Sequence, residues 1–323
     1  MQQNPLRSFG PRLQQTSVRV QTLWEIKDSP AGPARRLTVM SVRSERRDFG
    51  RYSDRLMDER SLRRWADAYA KAWEQGDADA VVELFTPDAS YRSLIFDDPH
   101  SGADGIRAYW ERATATQSSV RVWMGDPLVD GDRAALEWWA VMVDDSVITL
   151  PGCLLLDFDA DRCARLNEYW HVESAIVQPY EGWGRVAEGD TETTRAAAAQ
   201  WTRAWKQGWE ALDPSPIVAA YEPDAVHRSA PLRDPEAGGI AGYLDRCFPD
   251  EGNVKARFGV WAVSGANALT VYKATLNDES EGGEVTIAGC DMLRFSDEGL
   301  CVEQRDYWNA APGWAPDDRS WPL

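Results

Sequence analysis

The chain lacks the residues and segments that mark several large classes of protein. It has only three histidines and five cysteines in 323 residues, with no CxxC pair and no histidine cluster, so we expect no metal site. The cysteines are interpreted as buried free thiols, as in proteins of a reducing compartment. No apolar run approaches the roughly 20 residues of a membrane span, and the N-terminus has no apolar signal core. These features predict a cytoplasmic protein.

Positive charge is also scarce, because 35 Lys and Arg residues stand against 52 Asp and Glu. The net charge of −17 argues against nucleic acid and anionic membranes as partners, since both require a basic surface. Only residues 1–56 are basic, with 11 Lys and Arg against 5 Asp and Glu. This segment contains no helical stripe, and we interpret it as a flexible or loosely attached N-terminal extension. An alternative is that Met57 is the biological start.

The sequence does contain one phrase written twice. Residues 85–93 read FTPDASYRS and residues 221–229 read YEPDAVHRS, which indicates an internal repeat. Each copy follows an amphipathic helical stripe, as in Leu62, Trp65, Tyr69 and Trp73. A third helix and three strand-like runs follow in each copy, and Gly-Cys and Tyr-Trp pairs recur at matching places. The pattern predicts two α+β domains, 57–186 and 187–323, each with three helices on a curved antiparallel sheet.

This pattern resembles the nuclear-transport-factor-2-like superfamily, which includes ketosteroid isomerase and the SnoaL-like polyketide cyclases. The resembling motifs are W-x-x-G-D, the F/Y-x-P-D-A corner, G-x-x-G-I-x-x-Y and a closing strand that ends in Tyr-Trp. They extend over about residues 62–184 and 195–314. The resemblance implies a cone-shaped module in which helices close over a concave sheet around an apolar pocket. It does not identify an activity, because this fold hosts unrelated functions.

The resemblance does not extend to the catalytic set of ketosteroid isomerase. That enzyme uses a general-base Asp with a Tyr and a protonated Asp as donors to the oxyanion. The first repeat matches the Tyr with Tyr69 but has Ser93 at the base position. The second repeat matches the acid with Asp291 but has Ser229 at the base position. A serine without an adjacent base does not remove a carbon-bound proton, so we expect a different reaction.

Alternation along the strands predicts which side chains face each pocket. For the first pocket we expect Tyr69, Trp73, Tyr91, Ser93, Glu137, Trp139, Glu168 and Trp170. For the second we expect Trp201, Trp205, His227, Ser229, Lys273, Asp291, Asp306 and Trp308.

The predicted catalytic groups are the carboxylate pairs Asp291 with Asp306, and Glu137 with Glu168. A short hairpin places Asp291 opposite Asp306, where burial raises one pKa unless Lys273 neutralises the pair. The other interpretations are a structural ion network in the second pocket, and a first pocket whose acids lie at its mouth or one residue out of register.

The outer sheet face is predicted to carry Leu136, Trp138, Cys153 and Leu155. An apolar face of this size is not left in water, so we expect it to pack against the other repeat as an intramolecular pseudo-dimer, or to form a homodimer. Arg92 and Arg228 adjoin the serine in both copies and are interpreted as salt bridges at the helix–strand corner. His171 is expected to point outward, and His100 lies in a loop.

Two functions remain open from the sequence. One is an isomerase, cyclase or hydratase that needs no cofactor and acts on a small hydrophobic, oxygenated molecule by acid–base catalysis. The other is a non-catalytic small-molecule-binding or scaffold protein with degenerate pockets.

Overall fold

The computed structural model describes residues 57–279 and 282–315. The basic extension predicted over residues 1–56 lies outside the described residues. Within them, the chain forms two modules of helices and sheet, which confirms the α+β fold class.

The first module begins with the helices and continues into a sheet. Its elements in chain order are α1 (Glu59–Gln75), α2 (Ala78–Glu83), β1 (Phe85–Arg92), β2 (His100–Ser101), α3 (Gly102–Thr114), β3 (Gln117–Met124), β4 (Leu128–Asp130), β5 (Arg133–Asp144), β6 (Ser146–Asp159) and β7 (Arg162–Trp170).

The second module repeats this order. Its elements are α4 (Thr191–Ala211), α5 (Pro214–Val218), β8 (Tyr221–Arg228), α6 (Gly239–Cys247), a 3₁₀ turn (Phe248–Asp250), β9 (Glu251–Ser264), β10 (Asn267–Asp278), β11 (Gly283–Phe295) and β12 (Cys301–Pro312).

Local sequence signals determine where the first helix begins and ends. The Asp58 side chain caps α1 by accepting a hydrogen bond from the backbone N–H of Ser61. Gly76 ends it with φ 63°, a left-handed conformation that glycine adopts without strain. The next residue, Asp77, caps α2 through the backbone N–H of Ala80. The short α2 then leads directly into the repeated phrase.

Each sheet contains one parallel strand pair. The first sheet has the order β2-β1-β7-β6-β5-β3 with β4 beside β5, and the second has the order β8-β12-β11-β10-β9. β1 runs parallel to β7 and β8 runs parallel to β12, so the prediction of purely antiparallel sheets is wrong at this position. The long connection through a helix and two hairpins does not impose the antiparallel direction that a short hairpin would.

The sequence prediction also missed the strands β3 and β9. Both lie at a sheet edge, where β3 pairs with β5 and β9 pairs with β10, and both pairings contain a shift in register. The run QSSVRVWM of β3 is mostly half-buried or exposed, so its apolar alternation is weak. These strands form the side of each module beneath its first helix.

Three apolar clusters hold the chain together. One fills the first module and one fills the second. The third lies between the two sheets and takes residues from both, including Cys153, Leu155 and Tyr169 from the first and Leu269, Cys290 and Tyr307 from the second. The outer sheet faces of the two modules therefore pack against each other within this chain.

The predicted face of β5 is wrong. Leu136 and Trp138 lie in the interior cluster of the first module, whereas Glu137 lies on the outer face, opposite Cys153 on β6. Residues directly opposite in a ladder share a face, so Cys153 and Leu136 cannot both face outward. The one-residue shift moved every β5 side chain to the wrong side.

A buried ion pair joins the modules at this outer face. Arg305 donates to both carboxylate oxygens of Glu137 at 2.7 and 2.8 Å, and both side chains are only 2% exposed. The Tyr307 hydroxyl donates to the same carboxylate at 2.7 Å. All three groups come from the two outer sheet faces. Their hydrogen bonds fix the position of one sheet against the other, in addition to the apolar contact between them.

Two further features concern expectations from the sequence. The five cysteines are free and buried, as predicted. No helix among residues 57–279 and 282–315 is long and apolar enough to cross a membrane.

Candidate active site

The interior of the second module contains a small cavity between its helices and its sheet. The cavity has a volume of about 30 Å³, which is room for about two water molecules. Its walls are mostly aromatic with three carboxyl groups, and they comprise Trp201, Trp205, Trp209, Tyr243, Cys247, Phe248, Glu251, Phe258, Tyr272, Asp291, Gln304 and Asp306. This is an apolar chamber in which a few polar groups converge, as expected of a small-molecule site.

Asp291 and Asp306 lie directly opposite each other on β11 and β12. Both are buried, at 1% and 7% exposure, and opposite residues in such a ladder have Cβ atoms about 5 Å apart. Burial raises the pKa of Asp291 to about 7. Burial, and then the neighbouring Asp291 carboxylate, raise the pKa of Asp306 well above its usual range. The two carboxyl groups therefore hold one proton between them near neutral pH. This proton is bound more firmly by Asp306 than by Asp291.

The two carboxyl groups have different hydrogen-bond partners. Asp291 accepts from the Gln304 amide at 2.7 Å and from the Thr270 hydroxyl at 3.1 Å. Asp306 accepts from the Tyr272 hydroxyl, which is 3.1 Å from each of its oxygens. Donors stabilise the ionised form of a carboxyl group, so the environment favours ionisation of Asp291 over that of Asp306.

Further polar groups lie behind Gln304. Its amide oxygen accepts from the Tyr221 hydroxyl and lies 3.0 Å from His227 Nδ1. Burial lowers the pKa of His227 to about 4, so the imidazole is neutral at pH 7. The sequence predicts that His227 lines the cavity, but this side chain lies behind the cavity wall beside Gln304.

One donor in the cavity wall makes no hydrogen bond. The indole N–H of Trp201 has no partner among the described residues, although the side chain is only 1% exposed. A buried donor left unpaired costs about 1–3 kcal/mol. A ligand or water oxygen in the cavity is a natural partner for it.

The cavity mouth contains a third acid. Glu251 at the start of β9 accepts a hydrogen bond from the Trp209 indole N–H, and burial raises the pKa of Glu251 to about 7. The first module has an open groove of about 420 Å³ at the corresponding place, between the end of α1, the end of α3 and the start of β3. Its walls include Trp73, whose indole N–H donates to Gln117. The same end of the two modules thus has a small, mostly aromatic cavity in the second and a larger groove in the first.

The interior of the first module contains a simpler chain of polar groups. The hydroxyls of Tyr69 and Tyr91 are 2.9 Å apart, and Tyr91 donates to Glu168 at 3.1 Å. Burial raises the pKa of Glu168 to about 8, so this acid is mostly neutral at pH 7. Trp73 and Trp110 pack edge-on against the Tyr69 ring. The predicted inward positions of Tyr69, Tyr91 and Glu168 are correct.

Three predicted pocket residues lie elsewhere. Glu137 is not near Glu168, because it pairs with Arg305 on the outer face. Trp139 is on that outer face too, where its indole N–H donates to the Val177 carbonyl. Lys273, two residues after the interface residue Val271, donates to the Ala315 carbonyl. Since Lys273 is on the face opposite Tyr272, it does not neutralise Asp291 and Asp306.

Four other predicted pocket residues make hydrogen bonds at the end of the repeated phrase, where the chain leaves the strand. Trp170 and Trp308 donate through their indole N–H groups to the backbone carbonyls of Ser93 and Ser229, at 2.7 and 2.8 Å. The Ser93 hydroxyl lies 3.4 Å from His100 Nε2, and the Ser229 hydroxyl donates to Glu236. The recurrence of this arrangement in both modules indicates a structural role.

The structure also gives contacts of the two arginines, and it corrects the outward position expected for His171. Arg92 and Arg228 each donate to a backbone carbonyl in the following loop, those of Asp97 and Arg233, so they bind the loop backbone at this corner. His171 does not point into solvent, because its Nε2 accepts from the backbone N–H of Trp308 in the other module at 3.3 Å.

Sequence reasoning missed Gln304, Tyr272, Thr270 and Tyr221. The strand period alone was sufficient to find Gln304, which lies two residues before Asp306 and shares its face. The correct β10 face would have given Thr270 and Tyr272. Tyr221 is the first residue of the second phrase, where the first phrase has Phe85.

Among the described parts of the chain, no group of three or more His, Cys, Asp or Glu side chains is arranged to hold a metal ion. The carboxyl groups of the cavity instead have protein hydrogen-bond donors.

Comparison with known protein families finds the same domain in both modules. The SnoaL-like domain model matches the chain twice, at residues 66–166 and 185–304. No curated protein sequence gives a significant match.

Similar solved structures each cover about one module. One is a hypothetical protein with a ketosteroid isomerase-like fold from Catenulispora acidiphila, in complex with trimethylamine, with TM-score 0.31 and 20% identity over 32% of this chain and 83% of that one. Another is an LEH-like epoxide hydrolase from M. tuberculosis, with TM-score 0.31 and 17% identity over 35% and 84%. A third is SalBIII, described as an epoxide hydrolase/cyclase-like enzyme in salinomycin pyran ring formation, with TM-score 0.34 and 19% identity over 36% and 98%.

Proposed function

Because the chain belongs to the SnoaL-like domain family and contains two copies of its domain, we propose that the second module is an acid–base site for a small, mostly apolar, oxygen-containing molecule. One observation carries this proposal. Asp291 and Asp306 lie opposite each other in the wall of a mostly aromatic cavity and differ in their hydrogen-bond donors. Paired carboxyl groups with separated pKa values supply a base and an acid at the same pH.

The two carboxyl groups take distinct roles in this proposal. Asp291 is the base, because Gln304 and Thr270 stabilise its ionised form. Asp306 is the acid, because burial and the charge of Asp291 keep its proton bound. Asp291 takes a proton from a carbon or a water of the reacting complex, while Asp306 gives one to a substrate oxygen. The two carboxyl groups together hold one proton before and after the reaction. Proton exchange with water then returns the proton from Asp291 to Asp306.

The chamber walls account for the kind of molecule proposed. Trp201, Trp205 and Phe258 supply flat apolar surface for a hydrocarbon skeleton. The unpaired indole N–H of Trp201 supplies a donor to a carbonyl, ether or hydroxyl oxygen. A cavity of about 30 Å³ is smaller than such a molecule, so binding requires the side chains at the mouth, Trp209 and Phe248, to move outward.

The reaction class follows from the groups present. An acid and a base on the same face of a pocket serve isomerisation, cyclisation and addition of water, since each moves one proton off and one proton on. Ketosteroid isomerisation is outside the proposal, because the base position carries Ser229, whose hydroxyl is bonded to Glu236.

The experiment begins with binding. The full chain is screened by saturation-transfer NMR against small cyclic ketones, enones, epoxides and alcohols, and bound probes are then incubated and analysed by mass spectrometry. Asp291→Asn and Asp306→Asn are expected to keep the probe and reduce turnover by about 100-fold or more.

Glu168→Gln provides the matched comparison, because Glu168 holds the position of Asp306 in the first module. Loss of turnover in Glu168→Gln but not in Asp306→Asn would overturn the assignment to the second module. Bound probes that no protein form converts would support the second candidate, a non-catalytic binding protein, which the aromatic filling of the first module favours.

A further inference from the structure

The hydrogen bonds behind Asp291 have a fixed direction, which begins at an indole. The Trp205 N–H, which is only a donor, donates to the Tyr221 hydroxyl at 2.8 Å. Tyr221 is therefore the acceptor of that bond, and its own single hydrogen is available for the Gln304 amide oxygen. No alternative proton arrangement reverses this bond, because an indole nitrogen does not accept.

The orientation of the Gln304 amide follows from these donors. Its oxygen receives the Tyr221 hydroxyl, and His227 Nδ1 lies 3.0 Å away on the same side. A flipped amide would turn its NH₂ group toward the Tyr221 hydrogen. The orientation with oxygen toward Tyr221 places the NH₂ group 2.7 Å from Asp291. Gln304 is thus held as a donor to that carboxylate.

At four positions the first module has apolar residues where the second has polar members of this network, whereas His227 corresponds to Tyr91. Gln304 corresponds to Leu166, two residues before the Tyr-Trp motif acid, and Asp291 corresponds to Leu154, one residue after the shared cysteine. The pairs Tyr221 with Phe85 and Thr270 with Leu136 follow from the repeated phrase and the strand ladders. Buried polar networks are stable only when every member is satisfied. The four polar residues accordingly occur together in the second module, and the first module has apolar residues at all four positions.

We propose that Gln304 is a positioning residue, held by Tyr221 and His227, that makes Asp291 the proton acceptor and leaves Asp306 as the proton donor. This inference rests on the proposed function for the meaning of the two roles, but not for their physical basis. Asp291 has two donors in fixed positions, whereas Asp306 shares the single hydroxyl of Tyr272. Without the Gln304 amide, each acid would keep a single hydroxyl donor, from Thr270 or from Tyr272, and the difference that assigns the two roles would be lost.

The test is a carboxyl titration of the full chain labelled with ¹³C at the aspartate side-chain carboxyl carbon. The two resonances are assigned with Asp291→Asn and Asp306→Asn. In the wild-type chain, Asp291 is expected to lose its proton at lower pH than Asp306. Gln304→Leu, which copies the first module, is expected to raise the pKa of Asp291 by about 1 or more, because it deletes a donor to the charged form.

A second variant guards against misfolding of the first. Tyr221→Phe removes one oxygen, also copies the first module, and frees the Gln304 amide to turn, so a smaller rise in the pKa of Asp291 is expected. Tyr69→Phe deletes a comparable buried hydroxyl from the first module and is expected to leave both titrations in place.

Two results would overturn the inference. One is a wild-type chain in which Asp306 loses its proton first, and the other is an unchanged Asp291 titration in folded Gln304→Leu or Tyr221→Phe. Because no substrate is needed, the titration tests the positioning role separately from turnover. The predicted shifts in a chain that converts no probe would leave the inference standing and the proposed activity refuted.

Discussion

Loss of the Arg305 side chain is expected to weaken the contact between the modules more than loss of the neighbouring Tyr307 hydroxyl. Arg305→Met removes both bonds to Glu137, of 2.7 and 2.8 Å, and leaves a carboxylate that is 2% exposed with one hydroxyl donor. Breaking a buried ion pair in this way costs about 3–5 kcal/mol. Tyr307→Phe removes one hydrogen bond to a charged acceptor, worth about 1.5–3 kcal/mol.

The double variant separates the charge from the packing. Glu137→Leu together with Arg305→Met replaces both charges by apolar side chains, which is often neutral or stabilising. We therefore expect it to recover most of the stability that Arg305→Met loses. The free energy of unfolding is measured by urea titration, with tryptophan fluorescence and far-ultraviolet circular dichroism as probes. Both modules contain tryptophans, so separate unfolding of the modules would appear as two transitions.

The reasoning would be refuted by either of two results. In the first, Arg305→Met costs less than about 1 kcal/mol, the range of an exposed ion pair. In the second, the double variant is no more stable than Arg305→Met. The first result would show that the ion pair adds little to the apolar packing, and the second would show that the loss does not come from the unpaired charge of Glu137.

Three further predictions concern the modules themselves. Gly289→Ala would place a Cβ 2.6 Å from the Tyr272 ring, so we expect a loss of about 1–3 kcal/mol and a changed Asp306 titration, whereas the matching Gly152→Ala should cost similar stability and leave Asp306 unchanged. The raised pKa of Glu168, about 8, means that its contribution to stability is full below pH 4.5 and is lost as the pH rises through 8. In urea unfolding, Glu168→Gln should therefore be more stable than the wild type by about 4–5 kcal/mol at pH 8.5 and by much less at pH 4.5. The five buried thiols should react with Ellman's reagent only at the rate of unfolding, and rapid labelling of the native chain would contradict their burial.

Much of the fold was predictable because its signals are local. The stripe from Leu62 to Trp73, the caps at Asp77 and Gly76, and the hairpin that joins β6 to β7 each depend on a few neighbouring residues. The duplicated phrase then extended one module to two. The edge strands β3 and β9 were not predictable in this way, because half-exposed strands lack a clear apolar alternation.

The site was predictable only where one short hairpin connects its residues. Asp291 and Asp306 are on adjacent strands with a short turn between them, so their pairing followed from counting. The inward face of β5 had to be inferred from Glu168 on β7 across two strand pairings. Glu168 lies opposite Leu154 on β6, and Leu154 lies opposite Leu136 on β5, the residue before Glu137. A single-residue error across that distance reverses the face, and no local property of β5 corrects it. The partner of Glu137, Arg305, is 168 residues away in sequence, beyond any short-range pattern.

The ion pair between the sheets also has a consequence for symmetry. A two-fold interface between identical chains repeats each residue on both sides. In the first module, Asn167 holds the position that Arg305 has in the second. An interface between two copies of the first module would therefore bring together two copies of Glu137 and two of Asn167. In the second module, Val271 holds the position that Glu137 has in the first. An interface between two copies of the second module would bring together two copies of Arg305 and two of Val271. Only the mixed pairing matches one acid with one base, so the interface face of each module is complementary to the other module and not to a second copy of itself.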